Sequence, residues 1–133
     1  MAELKNSITC RANGALTQYQ LVKLGASAAG DGIPDAAPAA AGTDFAVGVA
    51  LSSVADNGIV EVQVCGVATA VAGEALTLGT AHSLASNASG QAVAAAANDF
   101  SFGVFLGSLK GTATAASGDH ILVALAQSRY EVA

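Results

Sequence analysis

An all-β fold is what this sequence predicts: a small barrel or sandwich of short strands joined by glycine-rich turns, with extended terminal arms. Residues 45–71, FAVGVALSSVADNGIVEVQVCGVATAV, provide the clearest hairpin signal. Two apolar runs, 45–51 and 59–64, flank Ala55-Asp56-Asn57-Gly58. Asn-Gly accepts the positive φ of a tight turn, and valines branched at Cβ favour a pleated backbone. A second observation is the recurrence of short apolar runs between turn residues along the rest of the chain. The third is composition: 53% of the 133 residues are apolar but only 5% are aromatic, with no Trp, so the core is built from small and branched aliphatics.

Taken in order, residues 1–14 are polar, end in Asn13-Gly14 and read as an N-terminal arm with a turn. Residues 21–24 form the first strand and stop at Gly25. Residues 26–44 shift to Ala, Gly and Asp with both prolines, Pro34 and Pro38, which predicts an exposed loop without a regular ladder. In the central hairpin, Val60, Val62 and Val64 point to one face and Glu61, Gln63 and Cys65 to the other, so one face is core and the other is wet or meets a partner. Gly66 suits a bend before Val67, Thr69 and Val71 resume the alternation.

Turns follow at 72–74, 79–80 and 86–90, with weak strands at 75–78, near Leu84, and at 91–97. Residues 100–106 are a strong strand, 109–119 a long loop, and 121–126 the closing strand. Residues 127–133 are a polar C-terminal tail, leaving 15–126 as the barrel-like domain. A weak internal repeat is present: Phe45, Gly48, Val49, Leu51 and Ser53 lie over Phe100, Gly103, Val104, Leu106 and Ser108. Two copies are too few for a solenoid.

The length suits one domain, which by surface scaling folds roughly 19,000 Å² of open chain into roughly 6,000 Å². An alanine-rich core is thin, and burial between subunits would add to it. Net charge is −5, and no Lys or Arg lies between Lys23 and Lys110. That interval holds Asp31, Asp35, Asp44, Asp56, Glu61, Glu74 and Asp99, so it cannot form a nucleic-acid surface, which requires clustered cations. The N-terminus lacks the apolar run of a signal peptide and no run reaches membrane-span length, so a cytosol-like compartment and no membrane are expected. Cys10 and Cys65 are expected as two small buried hydrophobes rather than a disulfide or metal pair.

Catalytic chemistry finds little support. His82 and His120 are the only imidazoles, and neither belongs to a paired-His metal motif. No serine lies in a nucleophile elbow. Asp56 and Asp119 precede strands, where Asp bonds the turn backbone. The glycines of 25–32 lack the G-K-[ST] ending of a phosphate loop, and the hairpin tip 55–58 has no lysine to carry biotin or lipoate. No enzyme activity, cofactor or metal is expected. A small hydrolase would require a cleft holding His82 or His120 beside a carboxylate.

The order of phrases points further. ALTxxQLVKLG from Ala15, AVGVAL from Ala46, VEVQVxGVA from Val60, AGEAL from Ala72, GQAV from Gly90 and GVxL from Gly103 together resemble the capsid cement, or head decoration, proteins of tailed bacteriophages over roughly residues 15–126. The resemblance implies a small β-barrel-like domain, usually trimeric, on the outer surface of the phage head, tying neighbouring major capsid protein subunits together after synthesis in the host cytoplasm. It carries no catalytic residues. The chain departs from the family in its alanine-rich 36–42 segment and its long 107–118 connection. Partner contacts are expected in the terminal arms, at Leu4, Ile8, Arg11, Arg129 and Tyr130, because these hold basic residues outside the barrel. Trimer contacts are expected either on the Glu61, Gln63 and Cys65 face or in the 26–44 loop. The alternative is a glycan- or host-surface-binding β module on a virion, for which Tyr19 and Tyr130 are the available aromatics.

Overall fold

The computed structural model describes residues 7–27, 30–79 and 83–130. All regular structure among them is strand, and the fold is all-β. Five strands close a barrel in the order β1 (Ser7–Ala12), β3 (Asp35–Pro38), β2 (Leu21–Gly25), β4 (Ala46–Ala50) and β5 (Ile59–Gln63). A second five-stranded sheet runs β6 (Gly66–Val71), β12 (His120–Tyr130), β10 (Phe100–Ser108), β8 (Leu84–Ser86) and β9 (Ala92–Ala94). β7 (Leu76–Thr77) and β11 (Thr114–Ala115) make a two-stranded ribbon.

Two cores result. The barrel interior holds Cys10, Ala12, Leu16, Val22, Ala36, Ala50, Val60 and Val62. A five-stranded barrel is narrower than the eight-stranded kind that just accommodates side chains, which explains why alanine and cysteine recur inside it. The second core lies between the barrel and the open sheet. Leu21, Ala46 and Val49 of the barrel meet Phe102, Phe105, Leu84, Ile121 and Val123 there. Within β2, Leu21 faces one core and its neighbour Val22 the other, and in β4 Val49 and Ala50 divide in the same way. At Leu21–Val22 and Val49–Ala50 these two strands therefore form a wall buried on both sides, whereas β5 keeps the predicted alternation, with Val60 and Val62 inward and Ile59 and Glu61 outward.

The central hairpin forms as the sequence predicts. β4 and β5 pair antiparallel, with Val49 opposite Gln63 and Ala50 opposite Val62. The turn at its tip is closed by the Gly58 amide donating to the Ala55 carbonyl at 2.9 Å, with Asn57 at φ 68°. The two glycines of the internal repeat share a physical role. A Cβ on Gly48 would collide with the Gln63 carbonyl oxygen of the paired strand, and one on Gly103 would lie 2.5 Å from the Ala124 carbonyl oxygen. Both copies of the phrase use glycine where a neighbouring backbone comes too close for a side chain.

Three expectations are corrected. Residues 7–12, assigned to an N-terminal arm, form β1, which pairs antiparallel with β5 and parallel with β3, with Cys10 and Ala12 buried inside. The run of polar residues hid an inward alternation of Ile8, Cys10 and Ala12. Residues 35–38, assigned to a loop, form β3, which closes the barrel. Its prolines stand at the margins: Pro34 accepts from the Arg11 amide at 2.9 Å, Pro38 ends the strand, and the Ala39 amide takes up the bonding to Leu21. Proline cannot donate, but its carbonyl accepts as well as any other. Residues 127–130, assigned to a tail, continue β12, with Arg129 opposite Ser101 and Tyr130 opposite Phe100.

Gly48→Ala is expected to destabilise the protein by about 3 kcal/mol or more through overpacking against the Gln63 backbone. Gly25→Ala, at a position with open space and no positive φ, should stay within about 0.5 kcal/mol of the parent. Urea unfolding of both variants checks the difference.

Candidate functional site: an uncharged sheet face and a tyrosine cleft

The residues expected in terminal arms are not brought together. Leu4 lies outside the described residues. Ile8 packs against the barrel core, which removes it from an arm. Arg11 lies on the barrel wall, its Nη2 2.6 Å from Asp31 Oδ2 and its Nη1 3.4 Å from the Asn57 carbonyl oxygen. Arg129 and Tyr130 belong to the second sheet, and their side chains lie outside the described set. Beside Arg11, Glu61 accepts from Ser7 and Thr9 across the β1 and β5 pairing. Of the two cysteines, Cys10 is buried as expected, but Cys65 is exposed. Burial pushes the Cys10 thiol above its ordinary pKa, with Glu61 and Asp35 adding to the shift.

A different surface has the character of a contact face. On the outer side of the second sheet, Val67, Ala124 and Val104 form one cross-strand row, and Leu122 stands in the next row, opposite Thr69 and Gly107. Val67 is 58% exposed, Val104 41% and Leu106 42%. Residues 66–71, 100–108 and 120–125 contain no Asp, Glu, Lys or Arg. The inner side of the same strands, through Ala68, Ala70, Phe102, Phe105, Ile121 and Val123, is core. A sheet this apolar on both faces differs from the usual antiparallel sheet with one solvated side. The sequence signal was the near-continuous apolar run of 121–126, which marks burial on two faces rather than one.

A small cleft of about 180 Å³ opens between the barrel and this sheet, lined by Thr17, Gln18, Tyr19, Gln20, Val71, Ser89, Gly90 and Gln91. Tyr19 holds φ 70°, an unusual conformation for a bulky residue. Its amide donates to Ala50 and the Ala50 amide donates to Gln20, which brackets the strained position. Its ring meets His120 edge-on at 5.2 Å. The Gln20 side chain is fixed at both ends, accepting from the Thr17 amide at 2.9 Å and donating to the Ser89 carbonyl at 3.4 Å. Gly90 presses close beneath it, for a Cβ there would lie 2.6 Å from Gln20 Cγ.

His120 also lines a shallower depression of about 350 Å³ with Leu109, Lys110, Gly118 and Asp119. An imidazole and a carboxylate thus share a cleft, the arrangement a hydrolase would require. The carboxylate, however, is committed to its own turn, where Asp119 Oδ2 accepts from the Ala116 amide at 3.0 Å. The imidazole turns toward Tyr19 instead. Among the described residues, no group of three His, Cys, Asp or Glu side chains is placed to hold a metal ion, and no helix is long and apolar enough to cross a membrane.

The Ile33 amide, Arg11 and Ser27 together hold the Asp31 carboxyl down to about 2, from an ordinary 3.8. A depressed carboxyl contributes stability above its unfolded pKa and loses it as pH falls toward the folded value. Asp31→Asn should therefore be less stable than the parent at neutral pH and should flatten the loss of stability between pH 3.8 and about 2, both by the same modest amount because the pair is exposed, as read from urea midpoints.

No family model matches the chain, and no curated protein matches it. Among solved structures, it is similar to the N base of the head fiber gp8.5 of bacteriophage phi29, with a TM-score of 0.69 and 22% identity, over 94% of this chain and 97% of that one.

Proposed function

We propose that this chain is a structural protein of a phage virion: a capsid cement, or decoration, protein that binds the outer surface of the head and stabilises contacts between major capsid protein subunits. The observation that carries this reading is the fold shared over nearly its whole length with a phage head fiber base. The order of sequence phrases from Ala15 to Leu106, resembling the cement family, supports it independently of the fold.

The physics of the role suits the molecule. A cement protein acts by adding binding energy between subunits that internal DNA pressure pushes apart. Many copies attached at several points reach high avidity from modest contacts. Two cores sharing one wall make a rigid body that loses little conformational entropy on docking.

The homotrimer implied by the resemblance is assigned here to the uncharged face of β6, β12 and β10. Contact through a face without charged side chains avoids the repulsion that a chain of net charge −5 meets where acidic surfaces of two copies approach. Three strands about 4.8 Å apart and six residues long at about 3.3 Å each span about 300 Å². A standard interface needs about 800 Å² per partner. Copies meeting through this face alone would associate weakly, and attachment to the shell would complete the assembly.

Co-sedimentation of the purified protein with expanded, undecorated heads tests the reading. Binding that saturates at a symmetry-related number of copies per head is expected, and no binding to any head would overturn it. Val104→Asp with Leu106→Asp should weaken head binding at least tenfold. Unchanged head binding by this variant would remove that face from the subunit contact.

A further inference from the structure

We propose that the Tyr19 cleft is a binding site for one neutral sugar ring, a function that the cement reading neither uses nor requires. No charged side chain lines the cleft, so nothing in it matches a phosphate, a carboxylate or a cation. Its polar lining is instead amide and hydroxyl: Thr17, Gln18, Ser89 and Gln91, with the Gln20 amide committed within the protein. An apolar ligand would strip water from these groups without replacing their hydrogen bonds. A polyhydroxyl ring donates and accepts at every substituent and satisfies both kinds of partner.

The apolar part of the wall has the complementary form. Tyr19 and Val71 provide a surface for the C–H face of a ring, and the His120 edge contact holds the Tyr19 plane in place. The volume of about 180 Å³ equals about six waters at their liquid share. That is the scale of a single six-membered ring and falls short of a drug-sized ligand.

The backbone adds a further reason. Tyr19 keeps φ 70° although glycine would hold that conformation without strain. Partial packing of its ring on the second core would be met as well by a residue in ordinary backbone, whereas the strained position keeps an aromatic ring in the wall of the cleft that Gln18 and Gln91 also line. The floor is preorganised, because Gln20 is tied at both ends and seated against Gly90.

The test is a titration of the ¹⁵N-labelled full chain with methyl glycosides of glucose, galactose and N-acetylglucosamine, followed through amide chemical shifts. At least one glycoside should produce saturable shifts concentrated at residues 17–20 and 89–91. Tyr19→Gly relieves the positive-φ strain, so the fold survives while affinity falls at least tenfold. Gln91→Ala should weaken binding severalfold with an unchanged amide spectrum elsewhere. Absence of localised shifts with every glycoside, or wild-type affinity in Tyr19→Gly, would overturn the proposal. Shifts with a neutral Ser-Gly-Asn peptide and none with sugars would also overturn it, in favour of a main-chain ligand. Because the readout needs no capsid, its failure leaves the cement reading standing, and failure to bind heads leaves this one.

Discussion

The burial of β2 at Leu21–Val22 and of β4 at Val49–Ala50 on both faces is the constraint on which the rest of the molecule depends. Leu21 and Val49 enter the core beneath the second sheet, while Val22 and Ala50 enter the barrel. Neither core is rich in large side chains, and each alone would be marginal for a domain of this size. Sharing a wall lets one pair of strands serve both, so a substitution in that wall is felt on two sides. The same constraint explains the tight glycine at Gly48, where the β4 backbone lies against β5 with no room for a Cβ.

The parts legible in the sequence were those in which side chains alternate with a wet face. β5 announces itself because Glu61 and Gln63 break a valine run, and the Asn57-Gly58 turn has a chemistry of its own. The Asp119 turn was also readable, since its carboxylate bonds the Ala116 amide as an Asp before a strand commonly does. β1 and β3 were not legible for a physical reason. A narrow barrel fills its interior with Cys10, Ala12 and Ala36, residues whose small apolar surface leaves almost no periodic signal. Pro34 and Pro38 then read as breakers, although at the ends of a four-residue strand they cost few donors. Cys65 was misjudged because the chain bends at Gly66, φ 83°, just after it, and that bend leaves the thiol outside.

The surface was harder to read than the fold. Basic residues near the ends suggested contact arms, yet Arg11 is tied to Asp31 on the barrel wall. What marks the molecule's outside is a pattern that pairwise motifs do not capture: three neighbouring strand segments, 66–71, 100–108 and 120–125, that contain no Asp, Glu, Lys or Arg. Strand neighbours are set by topology, since β6, β12 and β10 are far apart in the chain. The Tyr19 cleft is similar, joining 17–20 with 89–91 through the Gly90 carbonyl, which accepts from the Leu21 amide at 2.9 Å.

A cryo-electron map of undecorated heads saturated with this protein would address the functional account most directly. The account predicts ordered density for the barrel and second sheet outside the shell, with Val67, Val104 and Leu106 turned toward neighbouring copies. Density that leaves this face open to solvent, or heads that remain bare, would contradict it.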